Sequence, residues 1–356
     1  MANDQPTPFS VPAACPVPFS NHSTVQMAHG GGGRMAQRLL DQLILPAFAN
    51  SALGESHDGA VLDLGGQRLA LTTDGHVVRP RFFPGGDIGC LAVHGTVNDL
   101  LVCGARPMAL SASLILEEGF ELAELQRIIE SMSEAARGAG VEIVTGDTKV
   151  VEHGSGDGVF ICTTGVGVVL PGVDVRPRNV EPGDVVLLSG EMGAHGVAVL
   201  AARENLGLES SIVSDTAALT DLVLPILERC GRQIHVLRDP TRGGVAATLN
   251  EIARTAGVEI ALQEQTLPVS ETVRGACELL GLDPLYVANE GKVVAIVHPE
   301  AAETVLSYWR AHPLGVSASQ IGVVKAGQAG LVTLLSPIGG TRVVDLLSGE
   351  QLPRIC

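Results

Sequence analysis

"VEPGDVVLLSG" (residues 180–190) decides how this chain is divided. Pro182 and Gly183 mark a turn, and the unbroken apolar run Val185–Leu188 then reads as a buried strand that opens a new unit. Before it, β-like runs at "GAVLDLGG" (59–66) and "RLALTTDG" (68–75) lead to a helical segment at 88–102 and a strand at "MALSASLIL" (108–116). A helix at 121–138 and strands at "VEIVTGDTKVV" (141–151) and "GVFICTTGVGVVL" (158–170) follow. After it, helices at 195–206, 216–230 and 243–256 alternate with strands at 258–263, 292–298 and 331–336. The expectation is an α/β (α+β) chain of two mixed domains, 28–180 and 181–345. The Pro- and Ser-rich residues 1–27 read as a mobile extension and 346–356 as a flexible tail. Within "MAHGGGGRMAQRLLDQLI" (27–44), Leu39, Leu40, Leu43 and Ile44 predict a helix ending before Pro46.

A chain of 356 residues suits about two domains, and 46% hydrophobic residues are enough to give each a core. The net charge of -16, with no cluster of Lys and Arg, argues against a nucleic-acid partner. If the ligand is an anionic nucleotide, a divalent cation held by carboxylates is the device that offsets repulsion. No segment has the apolar length of a membrane span, and "MANDQPTPFSVPAAC" lacks the basic start and apolar stretch of a signal peptide, so a cytoplasmic protein is expected. Seven scattered cysteines contain no CxxC pair.

Four acidic motifs are candidates for chemistry. They are "SHDGAVL" (Asp58), "TTDGHVV" (Asp74), "GTVNDLLVCGA" (Asn98, Asp99) and "TGDTKVV" (Asp147, Thr148, Lys149). Carboxylates at strand ends and helix starts can reach one cleft and hold Mg²⁺ through hard oxygen ligands, although Asp also serves in such places as a cap or turn residue. "HGGGG" ahead of a helix offers Gly31, Gly32 and Gly33 as a backbone cradle for phosphates, or is a linker. The chain contains no GxxxxGK[ST], which excludes an ordinary P-loop. "RDPTRGG" (238–244) sets Asp239 and a basic residue before a helix, and "ANEGK" (288–292) sets Glu290 before a strand as a turn residue or a catalytic carboxylate. His76, His94, His195 and His235 show no metal-ligand spacing.

The chain closes on "QLPRIC" (351–356), with a thiol at the last position. A final cysteine excludes the prenylation pattern, which needs Cys fourth from the end. From Leu346 the segment could reach roughly 36 Å if extended, far enough to enter a remote site or to present the thiol to another protein. The adjacent α-carboxylate raises the thiol pKa and Arg354 opposes it, so the site visited must supply activation.

Taken in order, "DGHVVRPRFFPGGDIG", "GTVNDLLVCGA", "GDTKVV", "DPTRGG", "ANEG" and "PRIC" resemble the HypE family, the carbamoyl dehydratase of nickel-iron hydrogenase maturation. Its superfamily includes aminoimidazole ribonucleotide synthetase, selenophosphate synthetase and thiamine-monophosphate kinase. The resemblance implies two domains of the aminoimidazole ribonucleotide synthetase type, a homodimer, and ATP bound between the domains. It implies Mg²⁺ and phosphates on Asp58, Asp74, Asp99, Asp147 and Asp239, and a carbamoylated Cys356. It further implies a separate carbamoyltransferase donor and an iron-carrying scaffold complex as cyanide acceptor. On this reading Lys149 orients the transferring phosphoryl group, and Glu290, or else His94, is the base. His76 and His94 depart from the family pattern. Two other readings stay open: a small-molecule kinase or synthetase of the same superfamily with Cys356 incidental, and a metal-carrying scaffold that holds iron through Cys356.

Overall fold

The fold begins with the hairpin β1 (Ala60–Leu64) and β2 (Gln67–His76), which joins β5 (Ala105–Glu117), β6 (Glu142–Val151) and β7 (Val159–Val169) in a five-stranded sheet of order β1-β2-β7-β5-β6. Only β5 and β6 run parallel. The short hairpin β3 (Phe82–Phe83) and β4 (Gly86–Asp87) leads into α3 (Ile88–Val102). This is a computed structural model, and it describes residues 24–204, 212–349, 352 and 354–356. Residues 1–23, nearly all of the expected extension, lie outside the described residues; Met27–Gly30 forms a short 3-10 helix.

Helix α3 carries apolar residues all round and is buried along almost its whole length, so it can be satisfied only where it is covered on every side. Asp87 starts it by accepting from the amides of Gly89 (2.7 Å) and Cys90 (3.0 Å). It packs on β2, β5, β7 and α4 (Leu122–Ala139) and, from the other side, on β9 (Ile234–Arg238) and α6 (Thr220–Cys230) of the second half. Residues of α3 therefore stand at the junction of both halves, where a cleft carboxylate is needed.

The opposite face of the first sheet is open. Leu71 and Ile115 are exposed on it, and the edge strand β6, with Val144 and Val150, is exposed along nearly its whole length.

The second sheet has seven strands in the order β14-β13-β10-β12-β8-β11-β9. They are β8 (Val185–Leu188), β9, β10 (Glu259–Gln263), β11 (Val294–Val297), β12 (Ser319–Lys325), β13 (Leu331–Leu335) and β14 (Thr341–Val343). Helices α5 (Ala194–Glu204), α7 (Gly244–Ala256), α8 (Glu271–Leu280) and α9 (Pro299–Arg310) flank it with α6. Trp309 is fully buried, and its indole N–H donates to the Leu222 carbonyl at 3.1 Å.

Three readings of the sequence need correction. The first helix does not stop before Pro46. Its helical turns, α1 (Arg34–Leu39), continue through a π-turn over Leu40–Ile44 into α2 (Leu45–Ala47), so Pro46 lies within the helical run, directly after a π-turn that already interrupts the regular hydrogen-bond ladder. Helix α6 starts at Thr220 rather than 216, because the Leu219 amide is claimed by Asn98 Oδ1 across the domain junction (2.9 Å). The chain end, read as having little to pack with, is docked: Ile355 is 2% exposed and Cys356 is half-buried.

Candidate active site

Three carboxylates meet where the halves join. Asp58 comes from the loop before β1, Asp99 from α3 and Asp239 from the loop after β9, with one oxygen of each within 4.8 Å of the others. Burial raises Asp99 and Asp239 well above the usual carboxylate range, and the neighbouring carboxylates add to this. Burial likewise lifts Asp58 to about 6, against the pull of the Arg238 guanidinium, whose Nε lies 2.7 Å away. Thr72 Oγ1 donates to Asp99 Oδ2 at 2.7 Å and fixes its rotamer. Asp74, on β2, adds a fourth negative charge felt by Asp99 and Asp239. Hard oxygen donors this close repel one another unless a cation joins them, so the set fits a divalent ion such as Mg²⁺.

The chain end enters the same cleft beside residues 77–79. Val77 N donates to a terminal oxygen of Cys356 (3.0 Å) and Arg79 N to the Arg354 carbonyl (3.1 Å). Arg354 bends in the left-handed region (φ 52°), pairs with Asp157 and donates to the Val77 carbonyl. The Cys356 sulfur feels Arg242, Glu290, Asp74 and Asp239. Burial pushes its thiol up to about 12, Arg242 opposing and the three carboxylates reinforcing. Glu290 is itself buried, with Oε1 lacking a hydrogen-bond partner among the described residues. Burial, then the charges of Asp239, Asp74 and Asp215, raise it well above the normal range. Beneath it Asp215 and Lys292 form a buried ion pair at 3.0 Å; burial alone would raise Asp215, but the Lys292 charge outweighs that and its pKa ends lowered.

Comparison with known proteins adds identity to this geometry. Residues 56–169 match the AIR synthase related N-terminal domain and residues 181–334 the C-terminal one. Carbamoyl dehydratase HypE of Azotobacter vinelandii is 56% identical over 335 residues, covering 94% of this chain and 98% of its own. The chain belongs to the HypE family. Among solved structures, hydrogenase maturation protein HypE in complex with ATP is 49% identical with a TM-score of 0.79, covering 94% of this chain and all of that one. A HypE–HypF complex gives 48% identity and a TM-score of 0.83, covering 87% of this chain and 99% of the other.

Against that family frame, the expected site residues fall into groups. Asp58, Asp74, Asp99, Asp239, Glu290 and Cys356 converge. Gly31, Gly32 and Gly33 lie over the Arg242–Gly243 turn beside Leu352 and Ile355; Gly32 (φ +71°) has no room for a Cβ, which would sit 2.8 Å from the Arg242 carbonyl oxygen. Asn98 is buried with its amide committed to backbone, accepting from Leu219 N and donating to the Ala217 carbonyl (3.0 Å). It fastens α3 to the second half.

Other expectations do not converge within one chain. Asp147, Thr148 and Lys149 lie on the edge strand β6; through Ser113 and Cys162, Asp147 is in register with Gly75, three strands away. Cross-strand partners share a face, so Asp147 faces away from the cleft side that carries Asp74. His94 Nδ1 contacts Thr216 Oγ1 (3.2 Å), and burial lowers its pKa to about 4. The sequence reading noted the basic residue of "DPTRGG" without assigning Arg242 a role, named His195 only as lacking metal-ligand spacing, and gave Lys292 no role.

Proposed function

We propose that this chain is an ATP-dependent carbamoyl dehydratase that carries its substrate covalently on Cys356. The observation that carries this reading is the seating of the last residue's thiol among Arg242, Glu290, Asp74 and Asp239, beside the carboxylate triad. A thiol raised to about 12 is a poor nucleophile where it sits. The sulfur is therefore acylated outside the cleft, by a carbamoyltransferase partner, and docks as a neutral thiocarbamate, Cys–S–CO–NH₂.

Hydroxide leaves poorly, so the carbamoyl oxygen is first phosphorylated by ATP. The C–O bond then breaks, oxygen departs as phosphate, the nitrogen loses its protons and Cys–S–C≡N remains. Asp58, Asp99 and Asp239, with Asp74 nearby, would hold Mg²⁺, which supplies charge neutralisation at the transferring phosphoryl group. The Arg242 guanidinium faces the sulfur and opposes the carboxylate field. Glu290 is the group placed to take the nitrogen proton, provided the field that keeps it protonated is offset; His94 stands further back, against Thr216.

The open face of the first sheet and the bare β6 edge suit a homodimer. That arrangement would let Asp147, Thr148 and Lys149 of one copy serve nucleotide bound to the other. The thiocyanate carbon is then delivered to an iron-carrying hydrogenase maturation scaffold, and the work is done in the cytoplasm. Cys356→Ala tests the covalent role: thiocyanate formation is lost while ATP affinity stays within about twofold by calorimetry, as only the carrier atom is removed. Product formation by the variant would reject the proposal.

A further inference from the structure

His195 lies in the first turn of α5 and is completely buried. Its ring stands edge-on to Phe83 (centroids 5.5 Å apart, planes at 89°) and its Nδ1 is 2.7 Å from Ser214 Oγ. Its Nε2 lies 2.7 Å from the carbonyl oxygen of Ile355, the residue before the thiol. A carbonyl can only accept, so Nε2 carries the proton, and Nδ1 must accept from the serine hydroxyl. Ser214 thus selects the tautomer that Ile355 needs, and the Thr216 amide, donating to Ser214 Oγ at 3.1 Å, orients that hydroxyl in turn.

We infer that His195 is the positioning residue for the docked chain end, holding the Ile355 carbonyl so that the Cys356 sulfur stands between Arg242 and Glu290. The other anchors of the tail grip it from its exposed side or further from the sulfur: the exposed Val77 amide donates to a main-chain oxygen of Cys356, Arg354 reaches Asp157 and Val77, and Arg203 donates to the Arg354 carbonyl. His195 grips from the buried side, one peptide unit from the sulfur. When the tail leaves to be acylated, the buried Nε2–H loses its acceptor, a loss that disfavours the undocked state. The same bond therefore sets both the aim of the sulfur and the share of time the tail spends docked. This rests on the proposed covalent role of Cys356 for its purpose but not for its test.

The test is the rate at which a maleimide labels Cys356 in the native protein, read on the C-terminal peptide by mass spectrometry and referenced to the unfolded chain. Losing one buried donor predicts labelling roughly tenfold faster in His195→Phe. His195→Gln, whose side-chain amide can donate from the same place, stays within about twofold of the parent. Ser214→Ala, which frees the tautomer with a minimal change of packing, falls between them. An unchanged rate in a folded His195→Phe overturns the inference, and so does a His195→Gln as fast as His195→Phe, since packing alone would then explain the effect. Should His195→Phe fail to fold, Ser214→Ala decides, and parental labelling overturns the inference. The measurement uses neither ATP nor carbamoyl donor, so absence of a carbamoyl adduct on Cys356 would sink the proposed function and leave this result standing.

Discussion

At the scale of single residues, the cleft is a set of acids whose ionisation is opposed by burial and by one another. Burial raises Asp99, Asp239 and Glu290 and brings Asp58 to about 6. A group whose folded state holds its proton more tightly stabilises the fold fully below its unfolded pKa and loses that contribution as pH rises through the folded value. For Asp58 the loss runs from about 4 to about 6, and the other three extend it in the same direction. In chelator, the melting temperature should therefore fall as pH rises across this window, and added Mg²⁺ should restore more at pH 8 than at pH 5. An equal Mg²⁺ effect at both values would contradict the cluster as a cation site. Asp99→Asn removes one repelling charge while keeping the side-chain shape. It should raise the metal-free melting temperature at neutral pH by a few degrees, about 2–4 °C per kcal/mol, and lower Mg²⁺-dependent nucleotide affinity at least tenfold; unaltered affinity would remove Asp99 from the site. The acids were legible in the sequence because they stand in short motifs beside small residues, Asp58 and Asp239 in loops at strand ends and Asp74 and Asp99 within β2 and α3. The charge contact of Arg242 with Cys356 and the bond of His195 to Ile355 were not, since they depend on a chain end that returns across more than a hundred residues.

At the scale of elements, strong local signals carried the reading. Asp87 and a long apolar run mark α3, and its observed bounds match the expected 88–102. Alternation marks β5 to β7. The strands β9 and β12 and the helices α8 and α9 went unread, although Ser270 and Gly281 bracket α8 with an N-cap and a left-handed C-cap. Pro46 misled in the other direction, because it follows a π-turn that already interrupts the regular hydrogen-bond ladder. Close approaches are equally invisible in sequence. A Cβ at Gly291 would lie 1.8 Å from the Asp215 carbonyl oxygen, where the "NEGK" turn crosses the segment leading to α6. Gly291→Ala should destabilise by about 3 kcal/mol or more and displace Glu290 and Lys292. Gly138, inside α4 with nothing within 4 Å of its would-be Cβ, is the control: Gly138→Ala should stabilise by about 0.5–1 kcal/mol. Urea unfolding of both variants checks the pair, and equal effects would refute the packing argument.

At the scale of the whole molecule, two surfaces remain to be explained by assembly and movement. The open face of the first sheet and the exposed edge strand β6, with Val144 and Val150 uncovered along it, predict a homodimer. The double variant Val144→Asp, Val150→Asp should sediment as a monomer and lose nucleotide affinity if the Asp147–Lys149 segment serves the neighbouring copy; a dimer unchanged in mass would place the contact elsewhere. On the proposed function, the thiol at the chain end leaves a cleft that suppresses its reactivity, collects the carbamoyl group and returns. Both claims come together in the mass of the C-terminal peptide, followed after the protein meets its carbamoyl donor and then Mg²⁺ with ATP. The account predicts a carbamoyl adduct on Cys356 that, on nucleotide addition, becomes lighter by one water. An adduct on any other residue, or water lost with Cys356 unmodified throughout, would contradict it.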